Sequence, residues 1–184
     1  MDLFKYTAHE LHEKLVNKEI TAVELTNAVY DRIAAVDEQV NAYISLSKEE
    51  ALAKAAEVDA KIAAGEAIAP LAGIPVVFKD NINIYGQVTS CASKMLQGVE
   101  TVFDAHVTEE LRKEDAVFLG KANMAEFSIG NTTDNSFNGA VHNPWNLNCT
   151  TGGCATAAAV AAGEAIWALA SDTSGDLRQP AAYA

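Results

Sequence analysis

The chain has 184 residues, 49% of them hydrophobic and 21% charged. This is enough apolar material for one ordinary globular core and at the short end for two. Thirteen lysines and arginines against twenty-five aspartates and glutamates leave a net charge of −12, which repels polyphosphate, so autonomous binding of DNA or tRNA is not expected. The start MDLFKYTAHELHEK has no apolar h-region, and no run of 18 apolar residues occurs anywhere. Neither a signal peptide nor a membrane span is therefore expected, and the protein reads as soluble and cytoplasmic. Cys91, Cys149 and Cys154 lack the spacing of a zinc site and suit free thiols in a reducing compartment.

Residues 1–65 read as a helical N-terminal block. Thr7 with Glu10, Thr21 with Glu24, and Ser47 with Glu50 each have the spacing of a capping box, so three helix starts are predicted. Leu11 and Leu15 set the first apolar stripe, Leu25, Val29, Ile33 and Val36 the second, and Leu52, Ala55 and Ile62 the third, with Gly65 as the stop. His9 and His12 lie one turn apart, but no third ligand accompanies them, so no metal site is expected.

The pattern changes after Pro70. An apolar run at 76–78 between Pro75 and the polar group Lys79, Asp80 and Asn81 suits a strand buried on both faces. Asp104 can cap a helix carrying Val107 and Leu111, and a second apolar run at 116–119 ends in Gly120 and Lys121. A small-residue helix at 155–162 and a strand at 166–170 follow, emptying into the loop 171–176. Alternation of this kind predicts an α/β fold, a mostly parallel sheet covered by helices, with ligand chemistry at the carboxyl ends of the strands. Residues 66–184 are expected to form that core, in one domain with the helical block.

Three places could carry chemistry. Lys79 follows a buried strand, where partial desolvation would free some amine to act as a base, although a surface ammonium paired with Asp80 is the more ordinary reading of such a position. Gly152, Gly153 and Cys154 precede the small-residue helix, whose amides and dipole would favour an anion and lower the pKa of a thiol, although a cysteine there is also a common small core residue. The loop from Ser171 through Asp172, Thr173, Ser174 and Gly175 to Asp176 offers hydroxyls and carboxylates at a strand end, in residue types that also build ordinary turns.

The segments PLAGIPVVFKDNI, CASKML, GKANMAEF, HNPWN, AAAVAAGEA and SDTSGDLRQPAA together resemble the amidase signature enzymes in order and spacing. The resemblance covers the whole chain but only the first part of the family's domain, so a short or truncated form of an incomplete amidase-like fold is expected. It implies amide hydrolysis by a serine nucleophile, a second serine held in a cis peptide, and a lysine base. It places the base at Lys79. The other two positions depart from the family. Where the family reads Gly-Gly-Ser-Ser-Gly-Gly-Ser, this chain has Gly152, Gly153, Cys154, Ala155 and Thr156 and is two residues shorter. Either Cys154 or Gly152 then takes the cis serine's place, depending on where the gap falls. The nucleophile's motif, Asp-Thr-Gly-Gly-Ser-Ile-Arg, becomes Asp172, Thr173, Ser174, Gly175, Asp176, Leu177 and Arg178, so Asp176 stands where the serine would.

A carboxylate beside Lys79 would hold it as an ammonium ion, which cannot accept a proton, so the resemblance implies a Lys79–Asp176 ion pair and an altered mechanism. Two readings follow. In the first, the protein is an amide or ester hydrolase with a non-standard or impaired centre. Cys154 or Ser174 would attack a small carbonyl substrate and Lys79 would assist. Asp176 would lie in the catalytic centre, and Gly152, Gly153, Thr173 and Gly175 would line the substrate and its oxyanion. In the second, it is a non-catalytic relative that binds a small molecule or a protein. Neither reading needs a cofactor, and on both a homo-oligomer is expected.

Overall fold

A computed structural model describes residues 2–184, so only the first position of the 1–65 segment lies outside it. Helices α1 (Ala8–Val16) and α2 (Ala22–Val40) start on complete capping boxes at Thr7 and Thr21. At the first, Thr7 Oγ1 accepts from the Glu10 amide at 3.3 Å and Glu10 Oε2 accepts from the Thr7 amide at 2.8 Å. The strand β1 (Tyr43–Leu46) and helix α3 (Lys48–Ala64) follow.

The third capping box does not form: Gln87 Nε2 donates to Ser47 Oγ at 2.9 Å and to Glu50 Oε2 at 3.0 Å. Both cap groups therefore hold a distant loop instead of their own helix start. The α3 stripe also differs from the sequence reading, since Ala51, Ala55 and Val58 are buried while Leu52 and Ile62 are half-buried. Alanines on that face let α3 lie close against α2. Asp59 of α3 accepts from the Ala22 and Val23 amides at 2.7 and 3.1 Å, satisfying two orphan donors at the start of α2. Gly65 ends α3 in the left-handed region, as predicted.

Strand β2 (Pro75–Lys79), helix α4 (His106–Lys113) and strand β3 (Val117–Ala122) make the first parallel unit. Asp104 is not the α4 cap. Ala105 occupies that position, and Asp104 accepts from the Tyr85 amide at 2.7 Å and from Arg112 Nε at 2.7 Å. Thr108, not Val107, is the buried partner of Leu111. The short strands β4 (His142–Asn143) and β5 (Asn146–Thr150) form an antiparallel hairpin. Helix α5 (Thr156–Ala161), strand β6 (Trp167–Leu169) and helix α6 (Arg178–Tyr183) complete the chain.

The main sheet has the order β1-β3-β2-β6. β2 runs parallel to both β3 and β6, so the expected mostly parallel sheet is present, and β1 adds an antiparallel edge from within the helical block. Only glycine fits at position 120, where φ is +148° and a Cβ would collide with the Ser45 carbonyl at the β1–β3 bulge. Alternation along β2 divides the core. Val77 packs with Leu25, Val29 and Ala158 on one face, and Val76 and Phe78 pack with Leu111 and Phe118 on the other. Phe78 and Phe118 meet edge to face with centroids 4.7 Å apart.

Candidate active site

Phe78 of β2 pairs in register with Leu169 of β6. The residues just past the two strand ends therefore emerge side by side at the carboxyl rim of the sheet, the usual position for ligand chemistry in open α/β folds. Lys79 stands at the end of β2, and the loop 171–176 follows β6.

Lys79 is fully buried, and its Nζ donates to Asp176 Oδ2 at 2.6 Å, to the Ser171 carbonyl at 3.0 Å and to Ser171 Oγ at 3.3 Å. An ammonium group has three N–H donors, and three acceptors are in place. Asp176 is equally buried, and its second oxygen, Oδ1, accepts from the Thr173 amide at 2.9 Å. The ion pair expected from the motif match is formed, with both charges out of contact with water. Ser171 lies on the exposed side of the pair, and its Oγ also accepts from Asn81 Nδ2 at 2.8 Å.

The remaining site candidates are placed differently from the sequence reading. Cys154 is fully buried, its Sγ lies 2.9 Å from Thr156 Oγ1, and burial pushes its thiol up. Burial therefore opposes the activation expected for a thiol at the start of the six-residue α5. Ser174 is exposed, and among the described residues no hydrogen bond joins it to Lys79. The amides expected to hold an oxyanion are engaged: that of Thr173 by Asp176, and that of Gly175 by Asp172 Oδ1. Asp172 also accepts from the Arg178 amide and Nε, each at 2.9 Å, and the Arg178 guanidinium holds its carboxyl well below the usual carboxylate range. The loop is therefore folded around its own two aspartates.

Gly152 and Gly153 are buried, Gly153 against Asp176 and Gly152 against Pro180. The Gly152 amide donates to Thr150 Oγ1 at 3.2 Å, and the Gly153 carbonyl accepts from the Ala125 amide at 2.9 Å. Cys154 bridges to Met124, so this segment runs against the residues that follow β3. All peptide bonds among the described residues are trans.

A second buried pair lies beside the first. Lys121 Nζ is 3.6 Å from Asp80 Oδ1 and donates to the Ile82 carbonyl and to Thr89 Oγ1. Asp80 Oδ2 accepts from the Ser90 amide and hydroxyl at 3.1 and 2.5 Å. Lys79 and Asp80 are thus adjacent in sequence, but each takes its counter-charge from elsewhere. Sequence reasoning missed Ser171 and Asn81 as members of the Lys79 cluster. The available signal was that each lies two residues past the end of one of two paired parallel strands.

The chain belongs to the amidase family, whose model matches residues 24–184. Its sequence is 51% identical, over 99% of its length, to the A subunit of glutamyl-tRNA(Gln) amidotransferase from Desulforamulus reducens, and it covers 38% of that protein. The structure matches the peptide amidase of Stenotrophomonas maltophilia with a TM-score of 0.89 at 34% identity, covering 97% of this chain and 38% of that one. It also matches the A subunit of the glutamyl-tRNA(Gln) amidotransferase from Thermotoga maritima with a TM-score of 0.80 at 35% identity, covering 98% and 37%. The chain spans about two fifths of the length of the curated relatives it matches.

Proposed function

We propose that the Lys79 cluster is an amide- or ester-hydrolase centre of the amidase type, acting on a small carbonyl substrate, with its base impaired by Asp176. The family membership and the names of the relatives, a peptide amidase and a component of a glutamyl-tRNA(Gln) amidotransferase, support a carbonyl substrate. The impairment rests on one observation: Lys79 Nζ has a carboxylate at 2.6 Å and a full set of acceptors. A lysine so engaged as a hydrogen-bond donor is a poor acceptor for the nucleophile's proton, so only slow turnover is expected to depend on it.

A panel of acyl esters and primary amides tests this. Slow ester turnover that disappears in Lys79→Met is the expected result. Saturable binding of an amide without any turnover would favour the second reading, a binding module, which the engaged amides of Thr173 and Gly175 support. Asp176→Ser removes the carboxylate and supplies a hydroxyl. Cys154 and the shortened glycine segment remain, so little or no amide hydrolysis is expected from that change alone. Robust amide hydrolysis by Asp176→Ser would overturn this account of the impairment.

A second copy of the chain is part of the same proposal. Val160, Ile166, Trp167 and Leu177 line an apolar groove of about 390 Å³ between α5, β6 and α6, next to the edge of the sheet formed by β6. Such edges and apolar faces tend to be covered by association. Light scattering is expected to report a species larger than the 19.5 kDa chain, and a monomer at all concentrations would remove this part.

A further inference from the structure

We infer that Ser171 and Lys79 form a latent serine–lysine dyad, with Ser171 as the nucleophile, which Asp176 keeps switched off. The inference rests on the reading above that Asp176 holds Lys79 as an ammonium ion.

The geometry singles out Ser171 among the hydroxyls of the loop. Its Oγ is 3.3 Å from Lys79 Nζ, while the residue itself is exposed. Buried Lys79 and Asp176 cannot meet a substrate directly, whereas Ser171 touches both the lysine and solvent. Asn81 Nδ2, at 2.8 Å, fixes the position of Oγ from a second side. With Lys79 charged, both hydrogen bonds are donated into the lone pairs of Ser171 Oγ. The hydroxyl proton then points away from the lysine, and the oxygen is a poor nucleophile.

The hydrogen bond between Lys79 and Ser171 reverses if the amine is neutral. Ser171 then donates its proton toward Nζ and keeps the Asn81 contact, the arrangement in which a lysine serves as base to a serine. Asp176 decides between the two states, and Asp176→Asn is the change that converts one to the other. The Thr173 amide donates to Oδ1 at 2.9 Å, which fixes the oxygen of an asparagine there and turns its NH₂ toward Lys79. An ammonium ion facing that donor is destabilised relative to the neutral amine, whose single lone pair is needed for the Ser171 hydroxyl. A buried lysine without a counter-charge also favours the neutral form.

A fluorophosphonate probe reads this out without knowledge of the natural substrate. Ser171 Oγ forms a bond to phosphorus, its proton passes to the Lys79 amine, and fluoride leaves. The product is a phosphonylated Ser171 and a Lys79 ammonium ion. In Asp176→Asn, peptide mass spectrometry is expected to find the adduct on Ser171, forming at least ~100-fold faster than in the wild type, the usual contribution of a positioned base. Labelling should rise with pH and vanish in Asp176→Asn/Ser171→Ala and in Asp176→Asn/Lys79→Met. Asp176→Ser, which also removes the charge, serves as the second variant, and circular dichroism confirms that each variant is folded. Labelling of folded wild type at Ser171 at a comparable rate would overturn the lock, and labelling at Ser174 would overturn the choice of nucleophile. Folded charge-removed variants without an adduct would overturn the dyad. The ester and amide panel on the wild type is scored separately, so loss of the functional reading and loss of the dyad give different results.

Discussion

Gly153 lies so close to Asp176 that a Cβ at position 153 would stand 2.8 Å from the Asp176 Cβ and 2.8 Å from the Gly130 carbonyl oxygen. The glycine is there for space, because a methyl group would push Asp176 off Lys79 or shift the strap after β3. Gly153→Ala is expected to destabilise the protein by about 1–3 kcal/mol, the usual cost of overpacking a closed site. Urea denaturation of the two proteins measures it, and an unchanged midpoint would show that the loop 171–176 yields easily.

The second buried pair should matter more for stability than its 3.6 Å separation suggests. Asp80 is 1% exposed and Lys121 fully buried. Lys121→Met leaves a buried carboxylate without its cation and the Ile82 carbonyl and Thr89 hydroxyl without their donor. A loss of about 3 kcal/mol is expected, in line with breaking other buried pairs from one side. Chemical denaturation checks it, and a loss below about 1 kcal/mol would mean that the Ser90 contacts, with the Ala92 amide that donates to Asp80 Oδ2 at 3.3 Å, alone hold Asp80.

Glu164 makes stability depend on pH. It is fully buried in the turn after α5, beside Asp37 and within reach of the Arg32 charge, and burial pushes its carboxyl up to about 9 from 4.5. Asp37 at the end of α2 moves the same way for the same reason. The folded state therefore binds the proton more tightly than the unfolded chain. The stabilisation from a protonated Glu164 is complete below about pH 4.5, declines as pH rises, and is gone above about pH 9. Glu164→Gln keeps the shape and cannot ionise. Its unfolding free energy should match the wild type near pH 5 and exceed it by a few kcal/mol at pH 9. Parallel pH profiles for the two proteins would show that Glu164 does not titrate in this range.

The three thiols should separate by reactivity. Cys149 is exposed, Cys91 half-buried and Cys154 fully buried with its thiol pushed up. Alkylation followed by peptide mass spectrometry is expected to modify Cys149 first. Cys154 should lag by at least ~100-fold until the protein unfolds, because both access and thiolate are lacking. Rapid modification of Cys154 in the folded protein would restore it as a candidate nucleophile.

Much of the fold was legible from local patterns. The capping boxes at Thr7 and Thr21, the buried runs that became β2 and β3, and the small-residue helix before β6 depend on neighbours a few positions away, and each appears where the sequence places it. The Lys79–Asp176 pair was legible in another way, through the match of two motifs to one family. The misses share a cause. Ser47 and Glu50 have the spacing of a cap, but Gln87, far along the chain, takes both. Asp104 is diverted in the same way by Tyr85 and Arg112, and β1 exists because β3 offers it an edge.

The amino-acid sequence by itself thus determined the helix starts, the buried strands and the identities of the two groups at the centre of the site. Only the tertiary structure decided which hydroxyl accompanies them. Ser171, rather than Ser174, meets Lys79 because the register of β6 against β2 fixes where the loop begins, and Asp172 and Asp176 fold the rest of it around their own carboxylates. Hydrogen bonds across such distances in the chain form only after the sheet has brought the strand ends together, so their partners cannot be read from spacing.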